Sequence, residues 1–196
     1  MRRKSESPSL YDHPYYYDVA FSFRDIIKEV DFFEHCIAKF SKIRVKGVLD
    51  VACGPSPYMV EMVKRGYAFT GLDLSEAMLK YSLKKAKKAR INAKMIHADM
   101  RKFKTDEEFD FVFCTLGSIA VDSVGDFLSH LDSVAGCLRR GGIYLIDGSI
   151  TFDWTKLGSQ SWTIIKDGLT INVSWESVLA NFVQQKIIDR STIEVK

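Results

Sequence analysis

The stretch Val48–Tyr58 reads VLDVACGPSPY, and the way the chain leaves Val51 decides the fold. The first residues are apolar around one carboxylate, Asp50, and predict a short buried strand. Ala52, Cys53 and Gly54 follow, with almost no side-chain bulk, and then Pro55, Ser56 and Pro57. Small residues let a backbone approach another group closely. Prolines remove N–H donors from the same turn. So tight an exit from a strand needs a reason, and the flanking segments supply it.

Downstream the chain alternates between two periodicities. Apolar runs predict strands at residues 45–51, 67–73, 93–97, 109–115 and 143–147. FDFVFCT, residues 109–115, is almost wholly apolar, as a strand covered on both faces must be. Helices are predicted at residues 58–65, stopped by Gly66, and from an N-cap at Ser75 to about Ala89, with Ala77, Met78, Tyr81 and Ala86 on one side. A further helix is predicted at residues 126–138, closed by Gly141 and Gly142. Upstream, Ile26, Ile27, Val30, Phe33, Ile37 and Phe40 recur at helical steps. Before them YDHPYYY, residues 11–17, is broken by Pro14 and predicts a loop or irregular arm.

Strands alternating with helices imply an α/β fold, a doubly wound, mainly parallel sheet with right-handed crossovers. The tail differs. Trp162–Ile165, Asp167-Gly168 and Leu169–Trp175 predict a hairpin, because Asp-Gly favours the primed two-residue turns. Residues 184–195 predict one more strand. The expected organisation is one domain: an N-terminal arm and helical lid at residues 1–42, a ligand-binding core at 43–150 and an antiparallel extension at 151–196.

Composition narrows the classes. At 46% hydrophobic and 27% charged, the 196 residues suit an ordinary globular protein. A net charge of +3 is too small to imply nucleic acid. The basic run Lys84–Arg90 reads as the solvated face of a helix, and Arg2–Lys4 as a frayed end. Cys36, Cys53, Cys114 and Cys137 form no CxxC pair and lie at no ligand spacing from a histidine, which excludes a zinc site. Isolated cysteines among apolar neighbours suit a reducing compartment. No 18-residue apolar run is present, so no membrane span is expected, and a cytoplasmic location follows.

In parallel sheets ligands bind outside the carboxyl ends of the strands. Those ends carry Asp50 with the Ala52–Gly54 turn, then Asp73-Leu74, then Asp99-Met100, then Cys114, Thr115, Leu116 and Gly117. Three carboxylates at successive strand ends exceed what solvated surface requires. The prolines and the missing Lys-Ser/Thr exclude a P-loop, and no G-x-G-x-x-G is present. A carboxylate about 20 residues after a glycine turn suits ribose hydroxyls, and Asp73 lies at that distance from Gly54. A ligand with a ribose, an adenine, a cation and no phosphate fits this anionic rim. S-adenosylmethionine has those parts.

Taken in order, VLDVACGPSPY, GLDLSEAML, HADM, FDFVFCTLGS and LRRGGIYLID resemble the successive motifs of class I S-adenosylmethionine-dependent methyltransferases, the small-molecule and uncharacterised branch. The similarity spans roughly Tyr11 to Asp147. The resemblance implies a seven-stranded sheet with the cofactor across its carboxyl ends. Asp50 and the backbone of Ala52, Cys53 and Gly54 would meet the methionine part. Asp73 would hold the ribose hydroxyls, with Leu74 and Met78 against the adenosine. Asp99 would accept from the adenine amino group, with the Met100 N–H near the ring. Cys114, Thr115 and Leu116 would line the sulfonium. In YYYDVAFSFRDIIKE the resemblance suggests an aromatic lid, with Tyr16, Tyr17 and Arg24 as candidates and Arg24 on the cofactor carboxylate. Packing of the helix onto the sheet explains the aromatics equally well.

Two departures stand out. Ala52 replaces a common glycine, and Ser56 stands where the family has its third glycine. The family also continues with a helix and a closing strand pair, so the chain is either truncated relative to it or takes its sheet edge from a partner, and an uncovered edge would favour a homodimer. CTLG replaces the N/D-P-P-Y/F of enzymes that methylate DNA adenine or protein glutamine. His97 is expected to be a strand residue, Trp154 and Trp175 hydrophobic cover, and of His13 and His35 only His13 could reach a substrate. No general base is legible. The expected activity is methyl transfer to a nitrogen or oxygen of a small molecule. The alternatives are a non-catalytic or partner-dependent S-adenosylmethionine-binding subunit and, behind it, an RNA methyltransferase.

Overall fold

A computed structural model describes residues 9–119, 121–147, 157–183 and 186–196. The chain divides into two compact units, residues 25–151 and residues 1–24 with 152–196.

The larger unit is built on a five-stranded, all-parallel sheet of order β3-β2-β1-β4-β5. Its strands are β1 (Gly47–Val51), β2 (Ala68–Asp73), β3 (Lys94–His97), β4 (Phe109–Cys114) and β5 (Leu138–Ile146). All six residues of β4 are buried. Alternate side chains serve opposite faces: Phe111 and Phe113 pack with Phe33, Tyr58, Met59 and Met62, while Val112 and Cys114 pack with Leu49, Val51 and Val134. That double burial is why the strand lacks a polar period.

Helix α2 (Ile26–Phe40) begins at Asp25, whose carboxylate accepts from the Lys28 N–H, and buries Val30, Phe33 and Cys36. Ile27 and Phe40, expected on the same apolar face, are exposed. Helices α3 (Met59–Lys64) and α4 (Glu76–Ala89) follow β1 and β2, and Ser75 caps α4 by accepting from Met78 N. Helix α5 (Val124–Ala135) starts on Ser123, which accepts from Asp126 N, and closes at Gly136.

The expected stop at Gly141 and Gly142 is corrected: both lie inside β5. Between the pairs Phe109–Leu138 and Phe111–Ile143 the β5 side carries three extra residues, and the glycines sit in that bulge. Gly141 has φ +92°, and a Cβ on Gly142 would overlap the Asp110 carbonyl. The glycines bring two strands together rather than end a helix.

In the smaller unit a short 3-10 turn (Leu10–Asp12) leads into helix α1 (Pro14–Ala20). The sequence suggested a loop or irregular arm here. Pro14 instead occupies the first helical turn, where its missing N–H costs nothing. β6 (Ser159–Lys166), β7 (Leu169–Asn181) and β8 (Lys186–Val195) form an antiparallel sheet. Asp167 and Gly168 turn the hairpin with φ +51° and +78°, the primed geometry that Asp-Gly predicted. Val19 and Ala20 of α1 pack on Ile171 and Val173, and the Trp162 indole donates to the Ala20 carbonyl at 2.8 Å. The single seven-stranded sheet implied by resemblance is thus corrected among the described residues. Five strands pair in parallel, and the other three pair only with one another.

Candidate functional site

Strand order reverses between β1 and β4, since β2 and β3 lie on one side of β1 and β4 and β5 on the other. This switch point is where open α/β sheets hold ligands. Asp50, 2% exposed, stands just before it on β1.

The turn after β1 runs through the left-handed region at alternate residues: Ala52 (φ +57°), Gly54 (+52°) and Ser56 (+49°). For the two non-glycine residues this costs about 1–2 kcal/mol each. The turn is fixed by its neighbours. Cys53 N–H donates to the Leu72 carbonyl at 3.0 Å and Ser56 N–H to the Cys53 carbonyl at 2.8 Å. Ser82 Oγ donates to the Gly54 carbonyl and Lys85 Nζ to that of Pro55. Cys53 fits because β2 has no side chain at Gly71, where a Cβ would lie 2.8 Å from Cys53 Sγ. On the other side, a Cβ at Gly54 would meet nothing within 4 Å.

Asp73 ties this turn to the next helix. Its Oδ2 accepts from Gly54 N–H and its Oδ1 from Ser75 N–H, both at 2.8 Å. Each oxygen keeps a lone pair for a further donor. Leu74, next in line, is 64% exposed, and its carbonyl is bonded to His97 Nε2 at 2.9 Å. His97 is therefore the last residue of β3, as expected, and also a tie between two strand ends. Met78 is fully buried in α4.

After β3, Asp99 begins a turn in which Lys102 N–H donates to its carbonyl at 3.0 Å. Its carboxylate is gripped by Arg101 through the backbone N–H and a bidentate guanidinium, with contacts of 2.6–3.1 Å. The Arg101 side chain first, then its N–H, holds the Asp99 carboxyl below the ordinary carboxylate range. Met100 is buried, and its carbonyl meets His130 Nδ1 at 2.9 Å.

The β4 exit is also left-handed, at Leu116 (φ +60°) and Gly117 (+65°). Asp147, which follows β5, holds it by accepting from Leu116 N–H through Oδ1 and from Gly117 N–H through its carbonyl. Thr115 is nearly buried, and its Oγ1 lies 3.1 Å from the Tyr58 hydroxyl. Tyr58 OH donates to Glu29 Oε2 at 2.7 Å. A phenol has one proton, so with that proton on Glu29 the Tyr58 oxygen accepts from Thr115. The chain Thr115–Tyr58–Glu29 thus runs from the β4 exit to a half-buried carboxylate on α2. Sequence reading missed Tyr58, Glu29 and Asp147 as site residues. Their partners lie 57, 29 and 31 residues away.

Asp50, Asp73 and Asp99 therefore stand at the same end of three adjacent strands, with Cys114, Thr115 and Leu116 across the switch point. Tyr17 and Arg24 belong to the other unit, where Tyr17 packs on Phe21 at 4.7 Å. Three of the four thiols are held protonated by their surroundings. Burial first, then the charge of Asp50, pushes both Cys53 and Cys114 up, and burial pushes Cys137 up to about 11. Among the described residues no cluster of His, Cys, Asp and Glu could hold a metal, and no helix is long and apolar enough to cross a membrane.

Residues 48–142 match the family described as "Methyltransferase domain". Glycine N-methyltransferase of Rattus norvegicus is 34% identical over 114 residues, 51% of this chain and 39% of that protein. The chain spans about two fifths to one half of the length of the curated relatives it first matches. Among solved structures, Streptomyces venezuelae DesVI aligns with a TM-score of 0.74 at 20% identity, covering 91% of this chain and 82% of that one. The sugar N-methyltransferase KedS8 of Streptoalloteichus sp. aligns with a TM-score of 0.69 at 20% identity, covering 100% and 83%. The match places a methyltransferase domain on the parallel sheet, and the fold is one this chain shares with solved S-adenosylmethionine-dependent methyltransferases.

Proposed function

We propose that this chain binds S-adenosylmethionine at the β1–β2 exits and transfers a methyl group to a small-molecule nitrogen or oxygen. The observation that carries this is the turn at Ala52, Gly54 and Ser56, left-handed at alternate residues and tied to Asp73 at the topological switch point. Strain of that kind persists where the surrounding structure enforces it, and it gathers at ligand clamps.

The residues present fit such a cofactor. Open space beside Gly54 leaves room for a close backbone contact with the methionine part, beside the buried charge of Asp50. Asp73 has lone pairs left for the two ribose hydroxyls. Exposed Leu74 offers an apolar cover for the base, and the Asp99-Met100 turn offers an acceptor and an N–H. Nothing at these exits suits a phosphate, since the β1 turn contains two prolines and is flanked by carboxylates. Bound there, S-adenosylmethionine supplies a methyl group activated on a sulfonium sulfur.

The chain's own work is to position, exclude water and move a proton. Cys114, Thr115 and Leu116 wall the acceptor side. The order Thr115 to Tyr58 to Glu29 leaves the Thr115 oxygen able to take a proton from an acceptor N–H or O–H, with Glu29 as its end point. The names of the rat relative and of KedS8 state nitrogen as the atom methylated, so amines are the acceptors to try first.

The test is transfer of methyl label from S-adenosylmethionine to glycine, to a set of amino sugars and to a small-molecule extract. Label in an amine product is expected. Cofactor binding without transfer to any of these would contradict the enzymatic part and favour a binding subunit.

A further inference from the structure

Helix α5 touches the turn that carries Asp99 and Met100 at two points on one face. His130 Nδ1 lies 2.9 Å from the Met100 carbonyl. One helical turn on, Ser133 Oγ accepts from Phe103 N–H at 3.1 Å while donating to the Ser129 carbonyl at 2.9 Å. The segment between Met100 and Phe103 is thereby anchored at both ends, with Arg101 and its grip on Asp99 inside it.

His130 is fully buried. A carbonyl only accepts, so Nδ1 must carry the proton toward Met100. In the neutral ring Nε2 is then an acceptor, and it lies 2.6 Å from the Tyr144 hydroxyl on β5. Tyr144 donates, and burial holds this phenol protonated by pushing it well up from its ordinary range. Both hydrogen bonds are satisfied by one tautomer only. A buried imidazole with both nitrogens committed needs a task beyond filling space, because an apolar residue of similar size would avoid desolvating it.

We propose that His130, fixed in its Nδ1–H tautomer by Tyr144, is a positioning residue for base recognition. It sets the height of the Met100 peptide and with it the turn that presents Asp99. Selectivity for adenine over bases lacking the 6-amino group is then set from α5 and β5, by side chains that do not touch the ligand. The inference rests on the proposed S-adenosylmethionine site, with the base at the Asp99 turn.

The experiment is a calorimetric comparison of S-adenosylhomocysteine with S-inosylhomocysteine, in which an oxo group replaces the 6-amino group. The parent is compared with Tyr144→Phe, His130→Asn, His130→Leu and Ser133→Ala. Asparagine keeps a donor near the Nδ1 position but cannot reach Tyr144. The parent is expected to prefer the adenine ligand. Tyr144→Phe and Ser133→Ala should each shrink that preference by about 3- to 10-fold, as expected for one lost hydrogen bond. His130→Asn should retain more preference than His130→Leu. Equal weakening of both ligands, with the preference unchanged, is what a merely structural role gives, and it overturns the inference while leaving the cofactor site intact. A folded parent that binds neither ligand overturns the cofactor site itself, and the inference with it.

Discussion

Gly71→Ala tests how the first turn is held. Gly71 on β2 lies opposite Asp50 on β1 and Met95 on β3. An added Cβ would fall 2.8 Å from Cys53 Sγ, 2.9 Å from Met95 Sδ and 3.3 Å from Cys53 Cβ. Ordinary heavy-atom contacts begin near about 3.5 Å, so both sulfurs would have to move by about 0.7 Å. Met95 can swing its flexible end. Cys53 cannot without disturbing its amide, which is bonded to the Leu72 carbonyl, and the left-handed residues on either side. Overpacking of this kind costs about 1–3 kcal/mol. Relief of the glycine's entropy in a strand returns about 0.5–1 kcal/mol. The net loss is about 1–2 kcal/mol, or about 2–8 °C in Tm for a chain of this size. Thermal unfolding followed by circular dichroism measures it. The double variant with Cys53→Ala removes the obstructing sulfur, so the two effects should fail to add by about 1 kcal/mol, with the double variant better than the sum. A Gly71→Ala protein as stable as the parent, or a strictly additive double variant, would refute the close packing of the Cys53 turn on β2.

Three further outcomes follow from particular contacts. Asp110 is buried on β4, where it accepts from Lys46 and Gly47 N–H and pairs with Arg139. Burial raises its pKa, but the Gly47 and Lys46 N–H groups and Arg139 outweigh it, so the folded value lies below the ordinary one. A depressed carboxyl contributes stability that is present above the unfolded value and lost as pH falls through the folded value, here below about pH 4. Asp110→Asn should cost about 1–3 kcal/mol near neutrality, and the gap to the parent should narrow at pH 3; an equal gap at both pH values would contradict this. Ala52→Gly exchanges a left-handed alanine for a residue at ease there, so its stability should stay within about 1 kcal/mol of the parent. Ala77→Gly in α4 should cost about 1 kcal/mol through helix propensity alone, and a larger loss for Ala52→Gly than for Ala77→Gly would be inconsistent with the turn's geometry. Tyr58→Phe interrupts the chain from Thr115 to Glu29, so labelled-methyl transfer to an amine should fall at neutral pH and recover as pH rises past the amine's own pKa; a deficit independent of pH would show a packing role only.

Much of the site was legible because it lies on local pattern. Strand ends follow from the switch between periodicities, and ligand sites follow strand ends, which placed Asp50, Asp73 and Asp99 together. Asp167-Gly168 announced its hairpin for a similar reason, since turn chemistry is a matter of two residues. Gly141 and Gly142 misled because a glycine pair after a helical pattern reads alike whether it ends a helix or lets a bulge approach the neighbouring strand. Pro14 misled because a breaker inside an aromatic run is also a good first helical residue. The contacts that single residues cannot announce were not found at all. Tyr58 meets Glu29, and His130 meets Met100 and Tyr144, only after the sheet has brought distant segments together.

Titration of S-adenosylmethionine into the parent and into Asp73→Asn measures the central claim most directly. Asparagine keeps one acceptor oxygen and the residue's size while removing the charge that serves Gly54, Ser75 and, as proposed, the ribose. One molar equivalent should bind the parent, and the variant, with an unchanged circular dichroism spectrum, should bind about 10- to 100-fold more weakly. A folded parent that takes up no S-adenosylmethionine, or a variant that binds it as tightly as the parent, would contradict the account.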